Sequence, residues 1–143
     1  MNYQKIYNDT VWDCIQLLSS YKEVIERNDL MGMEQSKAKL VALKGILNQI
    51  YCDSCGFFTD EKRKVNNAKD KLYLMYRDQG LSQGDAEKKS RLDTDYKDEE
   101  GKNLLDKYKL QRNKTGKMIE DTKEAIIELA ILIKSKKSQI KYD

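Results

Sequence analysis

The 143-residue sequence has no proline and no histidine, and only three cysteines, one tryptophan and seven glycines. Without proline, nothing in the chain forces a helix to stop by removing a backbone donor. Without histidine, the commonest general base is missing. The three cysteines, Cys14, Cys52 and Cys55, are an odd number, and reduced thiols are their simplest state. Long hydrophobic runs are missing too. The longest, Ala125 to Ile133, is nine residues and contains Glu128, against about 20 apolar residues for a membrane span. Met1 to Tyr7 lacks the basic start and apolar stretch of a signal peptide. There is neither a glycine-rich phosphate loop nor a Walker lysine. These absences predict a soluble intracellular protein that is not an enzyme and needs no cofactor.

What is present points to helices. Charged residues make up 36% of the chain and hydrophobic ones 39%, which suits long helices with narrow apolar stripes. A single all-α domain over 1–143 is expected, with no sheet. Its first part, 1–58, reads as a helical hairpin. Val11, Ile15, Leu18 and Ile25 mark a helix over about Asp9–Arg27, and Asn28-Asp29 marks a turn with Asp29 as N-cap. Met33, Leu40, Leu43, Leu47 and Ile50 mark a second helix over about Leu30–Tyr51. Cys52 to Phe58 reads as a loop, with Gly56 to release the chain. A third helix, within 59–80 and capped by Thr59 or Asp60, should end at Gly80. Ser82 and Asp85 resemble a capping box for a long C-terminal region, 81–143. Acid-before-base pairs at four-residue spacing, Asp85–Lys89, Glu87–Arg91 and Asp93–Lys97, support helix there. A break or kink is expected near Thr115-Gly116, with Gly101 a second weak point.

Ile119, Ile126, Ile133 and Ile140 recur every seven residues, so they share one helical stripe. With these at heptad position a, Thr122, Leu129 and Lys136 fall at d, and the seam is only half regular. Ile127, Ile131 and Leu132 widen the apolar arc. Two compatible readings follow: packing inside a bundle, or a homo-oligomer interface built on Ile119, Ile126, Leu129, Ile133 and Ile140.

The formal net charge is +3, from 27 basic and 24 acidic residues. Distribution therefore matters more than the total. Lys107, Lys109, Arg112, Lys114 and Lys117 occupy one window without an acid, and Lys134, Lys136, Lys137 and Lys141 another. Between them lie Glu120, Asp121, Glu124 and Glu128. Lys62, Arg63 and Lys64 form a smaller cluster. Such windows either contact nucleic-acid phosphates, with Tyr108 available for stacking, or are solvated helix faces. Cys52-Asp-Ser-Cys55 is the one metal-like spacing, but structural zinc needs four ligands, and no metal is expected. The carboxylates Asp98, Glu99 and Glu100 read as an exposed run, not a catalytic pair.

Lys71-Leu-Tyr-Leu-Met-Tyr-Arg-Asp-Gln-Gly80, the following Leu81-Ser-Gln-Gly-Asp-Ala-Glu-Lys-Lys-Ser-Arg-Leu-Asp93, and Leu132-Ile-Lys-Ser-Lys-Lys-Ser-Gln-Ile140 resemble small helical phage proteins. Among these are the UvsY-type recombination mediators, and Leu40-Val-Ala-Leu-Lys44 echoes a run of that family. The resemblance implies a phage- or prophage-encoded protein of the bacterial cytoplasm. Such a protein would be a homo-oligomer through its C-terminal helices, binding single-stranded DNA and a recombinase. Only Lys44 matches the family's basic stretch, so the windows at Lys107–Lys117 and Lys134–Lys137 would carry the DNA. The alternative is a protein–protein interaction module, for instance an inhibitor of a host nuclease or CRISPR-type defence complex.

Overall fold

The computed structural model describes residues 2–94 and 103–142, with Lys141 and Tyr142 in backbone only. The described residues are all-α: α1 is Tyr3–Glu26, α2 Leu30–Asp78, α3 Gln83–Thr94 and α4 Leu104–Tyr142. The chain divides into two compact units, 1–52 with 113–143 and 53–112. Helices α2 and α4 run through both.

Each helix start has a local cause. Asn2 caps α1 by accepting from the Lys5 amide at 3.1 Å, so α1 begins six residues earlier than the apolar stripe alone suggests. It ends where Asn28 turns left-handed at φ 54°, a conformation asparagine tolerates better than most residues. Asp29 caps α2 as expected, accepting from Gly32 N at 3.1 Å. A Cβ at Gly32 would lie 2.5 Å from Asp29 Oδ2 and 2.8 Å from Val24 Cγ1, so a side chain there would displace the capping carboxylate and Val24. Gly80, at φ 92°, terminates α2. Ser82 Oγ accepts from Asp85 N at 3.2 Å to open α3, and Asn103 Oδ1 accepts from Asp106 N at 2.8 Å to open α4.

Two expected interruptions are absent. The loop at Cys52–Phe58 is helical, so the second and third expected helices are one, α2. Its polar residues are satisfied on the neighbouring helix. Ser54 is buried and accepts from Gln111 Nε2 at 2.7 Å, Phe57 stacks on Tyr108 with centroids 5.5 Å apart, and Arg112 lies 4.8 Å over Phe58. Thr59 does not cap a new helix; its hydroxyl bonds back to Cys55 O at 2.9 Å. The break at Thr115-Gly116 is likewise absent, because α4 is continuous. Thr115 is fully buried there, and Gly116 faces the Tyr51 ring. The expected continuation from Ser82 into the C-terminal helix stops at Thr94 among the described residues. Lys97, Asp98, Glu99, Glu100 and Gly101 lie outside them.

The first unit is a three-helix bundle of α1, the first part of α2 and the last part of α4. Cys14, Tyr21, Met33, Leu40, Leu43, Leu47, Ala125, Leu129 and Ile133 form its core. Helices α1 and α4 run parallel: Tyr7 bonds Thr115, Cys14 Sγ lies 3.8 Å from Thr122 Oγ1, and Tyr21 donates to Glu128 at 3.0 Å. Helix α2 runs antiparallel to both, and Glu34 meets Lys137 at 2.8 Å. In the second unit Tyr76 is buried beside α3. Its hydroxyl donates to the Asp93 carboxylate, and the Lys89 ammonium sits 4.7 Å over its ring.

Candidate interaction surfaces

The isoleucine stripe is mostly used inside the fold. Ile133 is buried, and Ile119 and Ile126 pack partly buried against the core, where fully buried Leu129 also lies. Ile140 is 60% exposed at the far end. The residues that widened the arc divide: Leu132 packs inward, while Ile127 and Ile131 face solvent.

The half-regular d positions have partners of their own kind. Thr115, Thr122 and Lys136 stand seven or fourteen apart on α4, opposite Tyr7 and Cys14 on α1 and Asn28 in the turn after it. Thr122 meets the Cys14 sulfur, and the Lys136 ammonium donates to the Asn28 carbonyl. A buried hydroxyl without a partner costs about 1–3 kcal/mol, so these rungs favour one register between two parallel helices. Burial raises the pKa of the Tyr7 phenol, the Cys14 thiol and the Tyr21 phenol. The Thr115 and Thr122 hydrogen bonds oppose it at the first two, and Glu128 adds to it at Tyr21. This ladder escaped the sequence reading, although Tyr7, Cys14, Tyr21 and Asn28 are themselves spaced by seven.

Beside this seam runs a groove with a largely apolar lining. It measures about 640 Å³ and lies between α1 and α4, lined by Tyr7, Val11, Ile15 and Met118 with Asn8, Asn113, Lys114 and Lys117. Ile15 is 52% exposed, and Trp12, between Val11 and Ile15 in sequence, is 63% exposed. An exposed tryptophan on the same helix as an open apolar groove is the usual composition of a protein-contact patch.

The basic windows fare differently. Lys117 pairs with Asp121 at 3.1 Å, which raises its pKa, and Lys137 pairs with Glu34. Lys136 is held by the Asn28 carbonyl and Arg112 by Phe58. Lys107, Lys109, Lys114 and Lys134 are exposed. Lys107, Lys109 and Arg112 belong to the second unit, the other five candidates to the first. A basic groove of about 570 Å³ lies between α2 and α4, lined by Lys37, Lys134 and Lys137 with Ala130, Ile133 and Ser138.

Cys52 is exposed and Cys55 half-buried, one turn apart on α2. Among the described residues no three metal-binding side chains gather, and no helix is long and apolar enough to cross a membrane. No family model, curated protein or solved structure matches this chain.

Proposed function

We propose that this protein is a non-enzymatic protein–protein interaction module whose α1–α4 groove receives a helix of a partner protein. The observation that carries the reading is the open apolar groove at Tyr7, Val11, Ile15 and Met118, with Trp12 exposed on the same helix α1. An amphipathic helix anchors apolar residues in such a groove at three- and four-residue spacing. Lys114, exposed on one side, favours a ligand with an acidic residue along its flank. The apolar part supplies affinity, because aromatic and aliphatic anchors in desolvated grooves dominate interface energies.

The test is affinity capture with wild-type protein and with Ile15→Glu, followed by reconstitution of the retained partner from purified components. A 1:1 complex that shifts the emission of the single tryptophan to shorter wavelength, and is lost with Ile15→Glu, is expected. Equal retention by both proteins would refute the groove as the docking site. Ile15 is half exposed, so the charge is tolerated by the monomer.

A second reading, a recombination accessory that holds single-stranded DNA, has the Lys37–Lys134–Lys137 groove in its favour. It requires binding whose affinity falls steeply with salt. Fluorescence anisotropy with an oligonucleotide, comparing wild type with Lys37→Glu/Lys134→Glu, tests it. Unchanged anisotropy at low salt would remove it.

A further inference from the structure

The exposed side of α2 in the first unit differs from the rest of this chain. From Leu40 to Cys52 there is one charge, Lys44, which is half-buried, whereas over a third of the whole sequence is charged. The exposed residues of that stretch include Val41, Ala42, Gly45, Ile46, Asn48 and Gln49. Val41 is 52% and Ile46 49% exposed. A helix face kept in water gains nothing from losing its charges, and a face that meets another apolar surface does.

Ile46 also borders a groove of about 420 Å³ between α1 and α2, whose other lining residues are Asp13, Gln16, Leu17, Lys39, Ala42 and Leu43. Its floor is aliphatic. Its rim carries one acid on α1 and one base on α2, neither in an ion pair among the described residues.

A surface that carries both signs and no excess of either can meet itself. We infer that the α1–α2 face, centred on Val41 and Ala42, binds a second copy of this chain about a two-fold axis. The hairpin fixes the arrangement. Asp13 lies fifteen residues before Asn28 and Leu43 fifteen after it, while Leu17 and Lys39 lie eleven before and after. Asp13 and Lys39 therefore differ in height by four residues, about 6 Å at 1.5 Å per residue. A two-fold axis level with Val41 that reverses the direction of α2 exchanges these two heights. Each Lys39 then lies level with the Asp13 of the other copy, diagonally across the groove that both line, so the pair forms twice, as an isologous interface requires. A two-fold axis along α2 would instead set Lys39 against Lys39. Ala38, Ala42 and Gly45 carry little side-chain bulk, which lets two helices approach closely. This face is separate from the α1–α4 groove, and the inference stands without the docking function proposed for that groove.

Charge reversal tests the arrangement. Mass is measured by light scattering across a concentration series for wild type, Asp13→Lys, Lys39→Glu, and an equimolar mixture of the two variants. Wild type should approach twice the monomer mass. Each single variant removes two attractions and adds two repulsions, so its dimer affinity should fall by about 30-fold, at roughly half a kcal/mol for each change. In the mixture every Lys–Asp or Lys–Glu contact across the axis is again of opposite sign, and a heterodimer should form with near wild-type affinity. Circular dichroism checks folding, since both side chains are exposed. A wild type that stays monomeric overturns the inference, as do variants that dimerise as well as wild type or a mixture that fails to regain the dimer.

Discussion

Replacing Leu129 with alanine separates packing within one chain from assembly between chains. Leu129 is fully buried in the first unit's core, with Cys14, Leu40 and Leu47 in the same cluster. Leu→Ala removes three carbon centres, worth about 2.4 kcal/mol of transfer free energy at about 0.8 kcal/mol each. The cavity left among helices from three directions adds to this, and measured costs of such substitutions run from about 2.7 to 5.0 kcal/mol. We therefore expect a loss of about 3–4 kcal/mol. At about 2–4 °C per kcal/mol for a chain of this size, the melting temperature should fall by roughly 10 °C. Urea titrations followed by circular dichroism, at protein concentrations a hundredfold apart, measure the effect. Ile131→Ala, at a residue 64% exposed, serves as the control and should cost under about 0.5 kcal/mol. A core role predicts the same loss at both concentrations. A loss below about 1 kcal/mol, or one that grows on dilution, would refute the placement of Leu129 in the monomer's own core, because dissociation of an assembly is concentration-dependent.

Two further outcomes follow from the same bundle. Gly116→Ala should stabilise the protein by up to about 1 kcal/mol, since the glycine sits inside a continuous helix and an added Cβ would meet Tyr51 Cε2 at an ordinary 3.5 Å; a lower melting temperature would argue for the kink that the sequence suggests. Stability should also fall in alkali. The Cys14 thiol is held above its ordinary 9.0, and the Tyr7 and Tyr21 phenols above their ordinary 10.0, so the folded state keeps its protons longer than the unfolded chain. The stability these groups contribute is complete below those ordinary values and is lost as pH climbs through the raised ones. The urea midpoint should decline above about pH 9, and Tyr21→Phe should flatten part of that decline; a midpoint constant to pH 11 would contradict the buried ladder.

The helical class, the α1–α2 turn and several caps were written locally. Asp29, Gly80 and Ser82 each act on an amide or a dihedral within a few residues, so their roles are visible without any knowledge of packing. The apolar stripe of α2 likewise named Met33, Leu40, Leu43, Leu47 and Ile50, all of which are buried. For the interaction surfaces, local reading reached less far. The isoleucine repeat identified a packing face over Ile119, Ile126 and Ile133, but its last member, Ile140, and the neighbouring Ile127 and Ile131 are left exposed. The groove at Tyr7, Val11, Ile15 and Met118 joins residues more than a hundred positions apart, and no periodicity within one helix reports that.

By itself, then, the sequence determined which segments are helical and which face of each is apolar, because backbone hydrogen bonding and side-chain period act over a single turn. Tertiary structure alone decided that Cys52–Phe58 and Thr115-Gly116 continue their helices. At those places propensity differences amount to about 1 kcal/mol or less per residue. Burial of Ser54 against Gln111 and of Thr115 beside Tyr7 outweighs them. It also decided that Lys137 is held by a carboxylate, since Glu34 reaches it only once α2 and α4 have packed, whereas Lys117 and Asp121 stand four apart on α4 and need only that helix.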